Sequence, residues 1–304
     1  MNHRWIRTPD WSQLTHDPQK HRHYPSEFEF RLLWEDLEQT FGINAESSLL
    51  DYTVLVLKPE CFRRKVSKQV LDYIVENGFT LVDLDIRHIT PAEENYIWRY
   101  QWNTATVDRL RLLTIKNHGE ASAILLLRRP ASAHAGVPAS VHLASIKGSS
   151  AYLERRQATD IRTILEIPNR ALTFIHCPDE PADLLREAIT LFPKTDRLID
   201  RLREGVDATG HIFDRVMSHE LSIAPHGVRF SEVAERRGLS THTADKRPLD
   251  DIRSAFGPID QETDRWDFVT YAAELIRHDR LDEGPAISTR FLPQILASWS
   301  SEPR

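Results

Sequence analysis

The stretch VLVLKPECFRRKVSKQVLDYIVENGFTLVDL, residues 54–84, changes its hydrophobic period twice. Its start lies in YTVLVLK (52–58), an apolar run rich in β-branched side chains and of strand length, the pattern of a central strand. RRKVSKQVLDYIVENG then places Val66, Val70, Ile74 and Val75 on one side of a helical period, with Gly78 as a C-terminal stop. FTLVDLDIRHI (79–89) returns to partial alternation and reads as a second strand. A β-α-β unit is therefore expected over 52–89.

Working outward, TPAEENYIWRYQ opens a helix with Thr90 as N-cap and Pro91 at the first helical position. VDRLRLLTIKNHG is a second helix that stops at Gly119, and ASAILLLR (121–128) is a third strand. RPASAHAGVPA reads as loop, SVHLASIKG as a short helix, RALTFIH (170–176) as a fourth strand and PADLLREAITLF as the helix behind it. Asp179 stands where that helix needs an N-cap, and Pro181 supports its first turn. The order predicts an α+β fold: a ferredoxin-like βαββαβ antiparallel sheet with extra helices inserted. Upstream, the first 25 residues have no clear period. SEFEFRLLWEDLEQTFG follows as a helix with Ser26 as candidate N-cap. Downstream of 193 the pattern is helical with no strand signal. Three regions follow: an arm and helix over 1–49, the α/β domain over 50–193 and a helical region over 194–304.

Composition narrows the classes. Among 304 residues there is no apolar run near the ~20 needed to cross a bilayer, and the N-terminus lacks a signal-peptide core. A cytoplasmic protein without membrane association is expected. Cys61 and Cys177 alone exclude a disulfide framework and a Cys-based zinc site. The histidines have no compact ligand spacing, so no protein-held metal is expected. Residues 230–252 have a helix-turn-helix look, but the C-terminal region is acidic and the whole chain carries a net charge of −6, which argues against nucleic acid.

The segment 50–193 resembles nucleoside diphosphate kinases. VLVLKPECFRRKVSKQVLDYIVENGFTLVDL is similar to that family's opening strand, "KPD…RRG" turn, helix and second strand. IKGSS resembles its "LG-x-T-x-P" segment, DIR its "TIR" segment, and FIHCPDEPADLLREAI its "IIHGSDS" signature with a glutamate on the next helix. The separation of His176 from Glu187 equals the family's.

The resemblance implies a nucleotide-binding phosphotransferase. His176 would carry a phosphoryl group between a nucleoside triphosphate and an acceptor, and Glu187 would hold the other ring nitrogen. An imidazole suits that task, being a good nucleophile when neutral near pH 7. Lys58 would bond the sugar hydroxyl and a phosphate, and Arg162 would grip phosphates. Tyr100, or Tyr96, would pack near the histidine, and Ser150, or Ser149, would stand for the phosphate-binding threonine. Thr173 replaces the asparagine ahead of the histidine. Mg²⁺ would come with the nucleotide. The family's homo-oligomeric packing is implied as well, with the N-terminal arm and C-terminal helices standing in its way.

Departures accompany these matches. Ala144 falls where the family has a phosphate-binding arginine, with His142 or Lys147 within reach of the same place. Cys177-Pro178 replaces Gly-Ser. The aromatic shelf for the base falls near Val107 or Asp108. A retained histidine, glutamate and lysine within an altered phosphate and base site leaves two further readings open. One is a non-catalytic nucleotide-binding or regulatory protein on the same fold. The other is a scaffold that uses its C-terminal helices.

Overall fold

The computed structural model describes residues 6–150, 153–226, 229–280, 284–288 and 292–301. Its centre is a four-stranded, wholly antiparallel sheet in the order β2-β3-β1-β4. The strands are β1 (Tyr52–Leu57), β2 (Thr80–Arg87), β3 (Ser122–Arg128) and β4 (Ile175–His176). Helices precede β1: α1 (Pro18–His23), α2 (Phe28–Phe41) and α3 (Ser47–Leu50). Between β1 and β2 lie α4 (Pro59–Arg63) and α5 (Ser67–Glu76); between β2 and β3, α6 (Pro91–Trp102) and α7 (Val107–Asn117). Between β3 and β4 come α8 (Ala139–Lys147) and α9 (Ile161–Ile164). Helices α10 (Pro181–Leu191), α11 (Thr195–Glu204), α12 (Thr209–Ser222), α13 (Phe230–Arg236), α14 (Leu249–Phe256), α15 (Glu262–Leu275) and α16 (Leu292–Ser301) complete the chain. With α5 and α8 as crossovers this is the βαββαβ arrangement, and α6–α7 interrupt what would be the β2–β3 hairpin.

Both faces of the sheet are covered, which is why β1 reads as apolar throughout. Leu55, Leu57, Leu125 and Leu127 face a core shared with α5, α7, α8 and the C-terminal helices α12–α15. Val54, Val56, Ile124 and Leu126 face a second core formed with α2, α6, α10 and α11. At roughly 1.5–3 kcal/mol per fully buried aliphatic side chain, these two layers dominate the favourable side of folding. The C-terminal helices pack on the sheet through the first core. The 230–252 segment contributes Val233, Leu249 and Ile252 to that packing.

Local expectations were corrected in four places. The helix read over 63–78 is broken: α4 ends at Arg63, Lys65 takes a positive φ of 56°, and α5 restarts at Ser67. Gly78, at φ 83°, does close α5. The partial alternation of β2 comes from a bulge between Leu81 and Asp83, which lets Leu81 and Leu84 face the same core although three residues apart. The fourth strand is two residues and not seven. Phe174 has φ 62°, and Thr173 N–H and Phe174 N–H donate to the buried Glu60 carboxylate at 3.2 and 3.1 Å, so this backbone cannot extend the ladder. Two caps also moved. Ser26 gives way to Glu27 at the N-cap of α2. Glu180, not Asp179, caps α10, in a reciprocal capping box with Asp183.

The N-terminal arm is structured from residue 6. Trp11–Gln13 is a 3₁₀ turn, and α1 brings Lys20 to Glu180 (2.8 Å) and Asp183 (2.6 Å). Helix α16 reaches the same place: the Trp299 indole donates to Glu180 at 2.8 Å and stacks on His16 at 4.1 Å. Both ends of the chain therefore meet at the start of α10, directly behind His176.

Candidate functional site

The site lies at the end of β4, where Val56 of β1 pairs with His176. Helix α10 runs back past this strand end and brings the buried Glu187 carboxylate to His176 Nε2 at 2.8 Å. The bond defines the ring. If Nε2 carries the proton toward the carboxylate, Nδ1 keeps its lone pair. Trp98 N–H points at Nδ1 from 3.3 Å, a long and weak contact, with the two rings edge-on at 5.2 Å. Trp98 reaches that position because α6 is kinked there, with φ −105° and ψ 15°. Burial lowers the pKa of His176; Glu187 opposes the shift without overcoming it, so the ring is neutral at physiological pH.

Lys58 ends β1 and donates to Thr173 Oγ1 at 2.8 Å, with its ammonium 4.7 Å from the centre of the Trp98 ring. Burial, reinforced by Lys116 and Arg162, lowers its pKa to about 7. Arg162 donates to Gly148 O (2.9 Å) and Ile175 O (3.0 Å), and burial lowers its pKa to about 10. Gly148 is required: it has φ 81°, and a Cβ there would lie 2.8 Å from Asp160. Lys147 donates to Asp179 (2.8 Å) and Cys177 O (3.1 Å).

These groups line one cavity of about 460 Å³, within the usual size of small-molecule sites. His176, Lys58, Thr173, Arg162, Lys147 and Ser150 all line it. Among the described residues its wall holds eight cationic side chains against four carboxylates, although the chain as a whole is acidic. Positive charge in a concave, partly desolvated site attracts anions. Glu187 stands behind the histidine, beside a smaller cavity of about 50 Å³.

Tyr100 lines the smaller cavity with His176 and Glu187, and the other sequence candidates make contacts of their own. Tyr96 and Tyr100 lie four residues apart on one face of α6, and both hydroxyls donate to Glu27, at 2.7 and 2.5 Å. Trp98, between them, takes the place beside the histidine. His142 packs on Phe79 at 5.8 Å. Val107 is exposed, and Asp108 accepts from Leu249 N–H at 3.2 Å. Sequence reasoning passed over Trp98, Glu60 and Lys116. Trp98 had a signal, since a helical period puts it on the face opposite the two tyrosines. Among the described residues no group of three or more His, Cys, Asp or Glu side chains could hold a metal ion.

No family model matches the chain, and no curated protein matches it. Solved structures do match. The Aquifex aeolicus nucleoside diphosphate kinase, in an orthorhombic crystal form, aligns with 47% of this chain and 94% of its own at 17% identity, with a TM-score of 0.38. The apo nucleoside diphosphate kinase from Encephalitozoon cuniculi aligns with 47% of this chain and 88% of its own at 11% identity, again with a TM-score of 0.38. The resemblance is structural and partial. No helix of the described residues is long and apolar enough to cross a membrane.

Proposed function

We propose that this chain is a divergent phosphotransferase of the nucleoside diphosphate kinase type, working through a phosphohistidine at His176. The observation that carries the reading is the buried Glu187 carboxylate on Nε2 of a neutral imidazole that lines a cavity rich in cationic side chains. Nδ1 attacks the terminal phosphorus of a nucleoside triphosphate, and the bond from phosphorus to the bridging oxygen breaks. The diphosphate leaves with the electron pair. Glu187 stabilises the positive charge that develops on the ring. An acceptor oxygen then takes the phosphoryl group and returns Nδ1 to its free state. Lys58, Lys147 and Arg162 supply the charge that phosphoryl transfer needs more than covalent help. Mg²⁺, implied by the resemblance, would supply further charge neutralisation on the triphosphate. The test is ATP/diphosphate exchange by purified protein, expected to require His176.

A non-catalytic nucleotide-binding role is the second reading. The observation that favours it is the Trp98 N–H on Nδ1, which must give way before attack. Two expectations separate them. Glu187→Gln keeps a hydrogen bond to the ring but loses the charge, and should slow exchange by on the order of 10²-fold or somewhat less. Binding of the nucleotide should be little changed. A purely structural glutamate would show the reverse pattern, a loss of stability with no specific rate effect.

The second concerns Lys58. Its pKa of about 7 lies below the ordinary lysine value of 10.5, so between these values the folded chain holds fewer protons than the unfolded one, and stability rises with pH across that window. A bound phosphate favours the charged ammonium and restores the proton. Titration calorimetry with ATP at pH 8 should therefore show proton uptake as a dependence of binding heat on buffer ionisation enthalpy. Lys58→Met should remove it. No buffer dependence in the parent protein would contradict the assignment.

A further inference from the structure

A route of aromatic contacts leads away from His176 along the cavity wall. Trp98 lies 5.2 Å from the histidine ring, Trp102 lies 5.7 Å from Trp98, and the Arg109 guanidinium lies 5.9 Å from the Trp102 ring. Beside Arg109 is Arg170, in the segment before β4. Both arginines face one carboxylate, Asp279: Arg109 donates to Oδ1 at 3.0 Å, and Arg170 donates to Oδ2. Arg109, Arg170 and Asp279 all line the same cavity as His176.

The cluster is a built one. Asp279 pairs with Ala105 in a β-bridge, Thr106 N–H donates to His278 O at 3.1 Å, and Arg280 N–H donates to Thr104 O at 2.8 Å. Among the described residues, two guanidiniums share one carboxylate. The buried Nε of each arginine has no hydrogen-bond partner among the described residues. Burial, with Arg170 beside it, lowers the pKa of Arg109 to about 10, and Asp279 only partly opposes the shift. Guanidinium forks match phosphate and carboxylate oxygens in pairs.

We infer that the part of the cavity lined by Arg109 and Arg170 binds a second anionic group, phosphate or carboxylate, on the ligand whose phosphoryl group meets the histidine. The inference deepens the proposed phosphotransfer and rests on that reading of the His176 end. The specialised substrate is thus anionic at both ends, and its middle lies along Trp98 and Trp102.

The test uses titration calorimetry on the full chain at fixed ionic strength. The probes are a ladder of alkanediol bisphosphates of increasing length, the matched ω-phosphooxy alkanoates and the matched alkyl monophosphates. At the fitting length the doubly anionic probes should bind about tenfold or more tighter than the monophosphate. The bisphosphate and phosphooxy-alkanoate arms tell whether phosphate or carboxylate is preferred. Arg170→Gln should bring the doubly anionic probe down to the monophosphate level and leave the monophosphate unchanged. Asp279→Asn should tighten the doubly anionic probe, the opposite of what a folding defect would do. Equal binding of both probe types at every length by the parent protein would overturn the inference, as would equal weakening of both by Arg170→Gln. The phosphotransfer reading fails separately: it is lost if ATP leaves no label on His176, whatever the probes show.

Discussion

Replacing His176 by alanine is expected to abolish phosphoryl transfer and phosphoenzyme formation while leaving the fold in place. In the proposed mechanism the ring makes and breaks the covalent bond to phosphorus, so no neighbour replaces it. Cys177 is the nearest alternative nucleophile in sequence, but burial raises its thiol pKa to about 11, which leaves almost no thiolate at neutral pH. The structural cost is modest. His176 sits at a strand end, and the Glu187 carboxylate left behind retains Arg186 at 3.8 Å. Lys58→Ala should act differently. It removes charge and a hydrogen-bond donor but no bond to phosphorus, so it should weaken nucleotide binding and slow the transfer without ending it. Circular dichroism, thermal unfolding and ATP/diphosphate exchange on the two variants check these outcomes together.

Glu60→Ala is expected to destabilise the protein by about 3–5 kcal/mol, the usual consequence of removing one partner of a buried ion pair. Glu60 and Lys116 are each almost wholly buried, and the Lys116 ammonium meets both carboxylate oxygens, at 2.9 and 3.0 Å. The same carboxylate holds Thr173 N–H and Phe174 N–H and so keeps Phe174 at positive φ. Alanine there strands a buried ammonium and two backbone donors at once. With total stability usually about 5–15 kcal/mol, the variant should unfold at a much lower urea midpoint. Any folded fraction should bind phosphate poorly, because Thr173, the partner of Lys58, loses its anchor. Burial works against the Glu60 charge, but Lys116 and Lys58 outweigh it, and its pKa is lowered. Its contribution is therefore complete above the ordinary carboxylate pKa and is lost as pH falls through the depressed folded value. A midpoint shift smaller than about 1 kcal/mol, the scale of exposed pairs, would show that the pair is not the anchor described.

The elements whose signal is periodic were readable in the residues. β1, α5 and β3 face cores on defined sides: alternate side chains of the strands join the two cores, and burial in α5 follows the 3.6 residue period. The order of elements and the His176–Glu187 separation were readable for the same reason: a strand and the helix behind it fix which residues can meet. What was hidden depends on contacts distant in sequence. Glu60 sits in the first turn of α4, yet it shapes the backbone at 173–174 from more than a hundred residues away. That contact shortens β4. Glu27 is buried under Arg186, Tyr96 and Tyr100, contacts that join α2, α6 and α10. Trp98 depends on a kink in α6 that no local residue announces. The pairing of Arg109 and Arg170 through Asp279 joins three distant segments and has no sequence signature.

The most direct test of the account is to incubate the purified protein with γ-labelled ATP and Mg²⁺, digest it, and locate the phosphoryl group by mass spectrometry and ³¹P NMR. The account predicts an acid-labile, base-stable label on His176, carried by Nδ1 because Nε2 is held by Glu187, and no label on His176→Ala. A label on another residue, attachment at Nε2, or no label on the folded parent protein would contradict it.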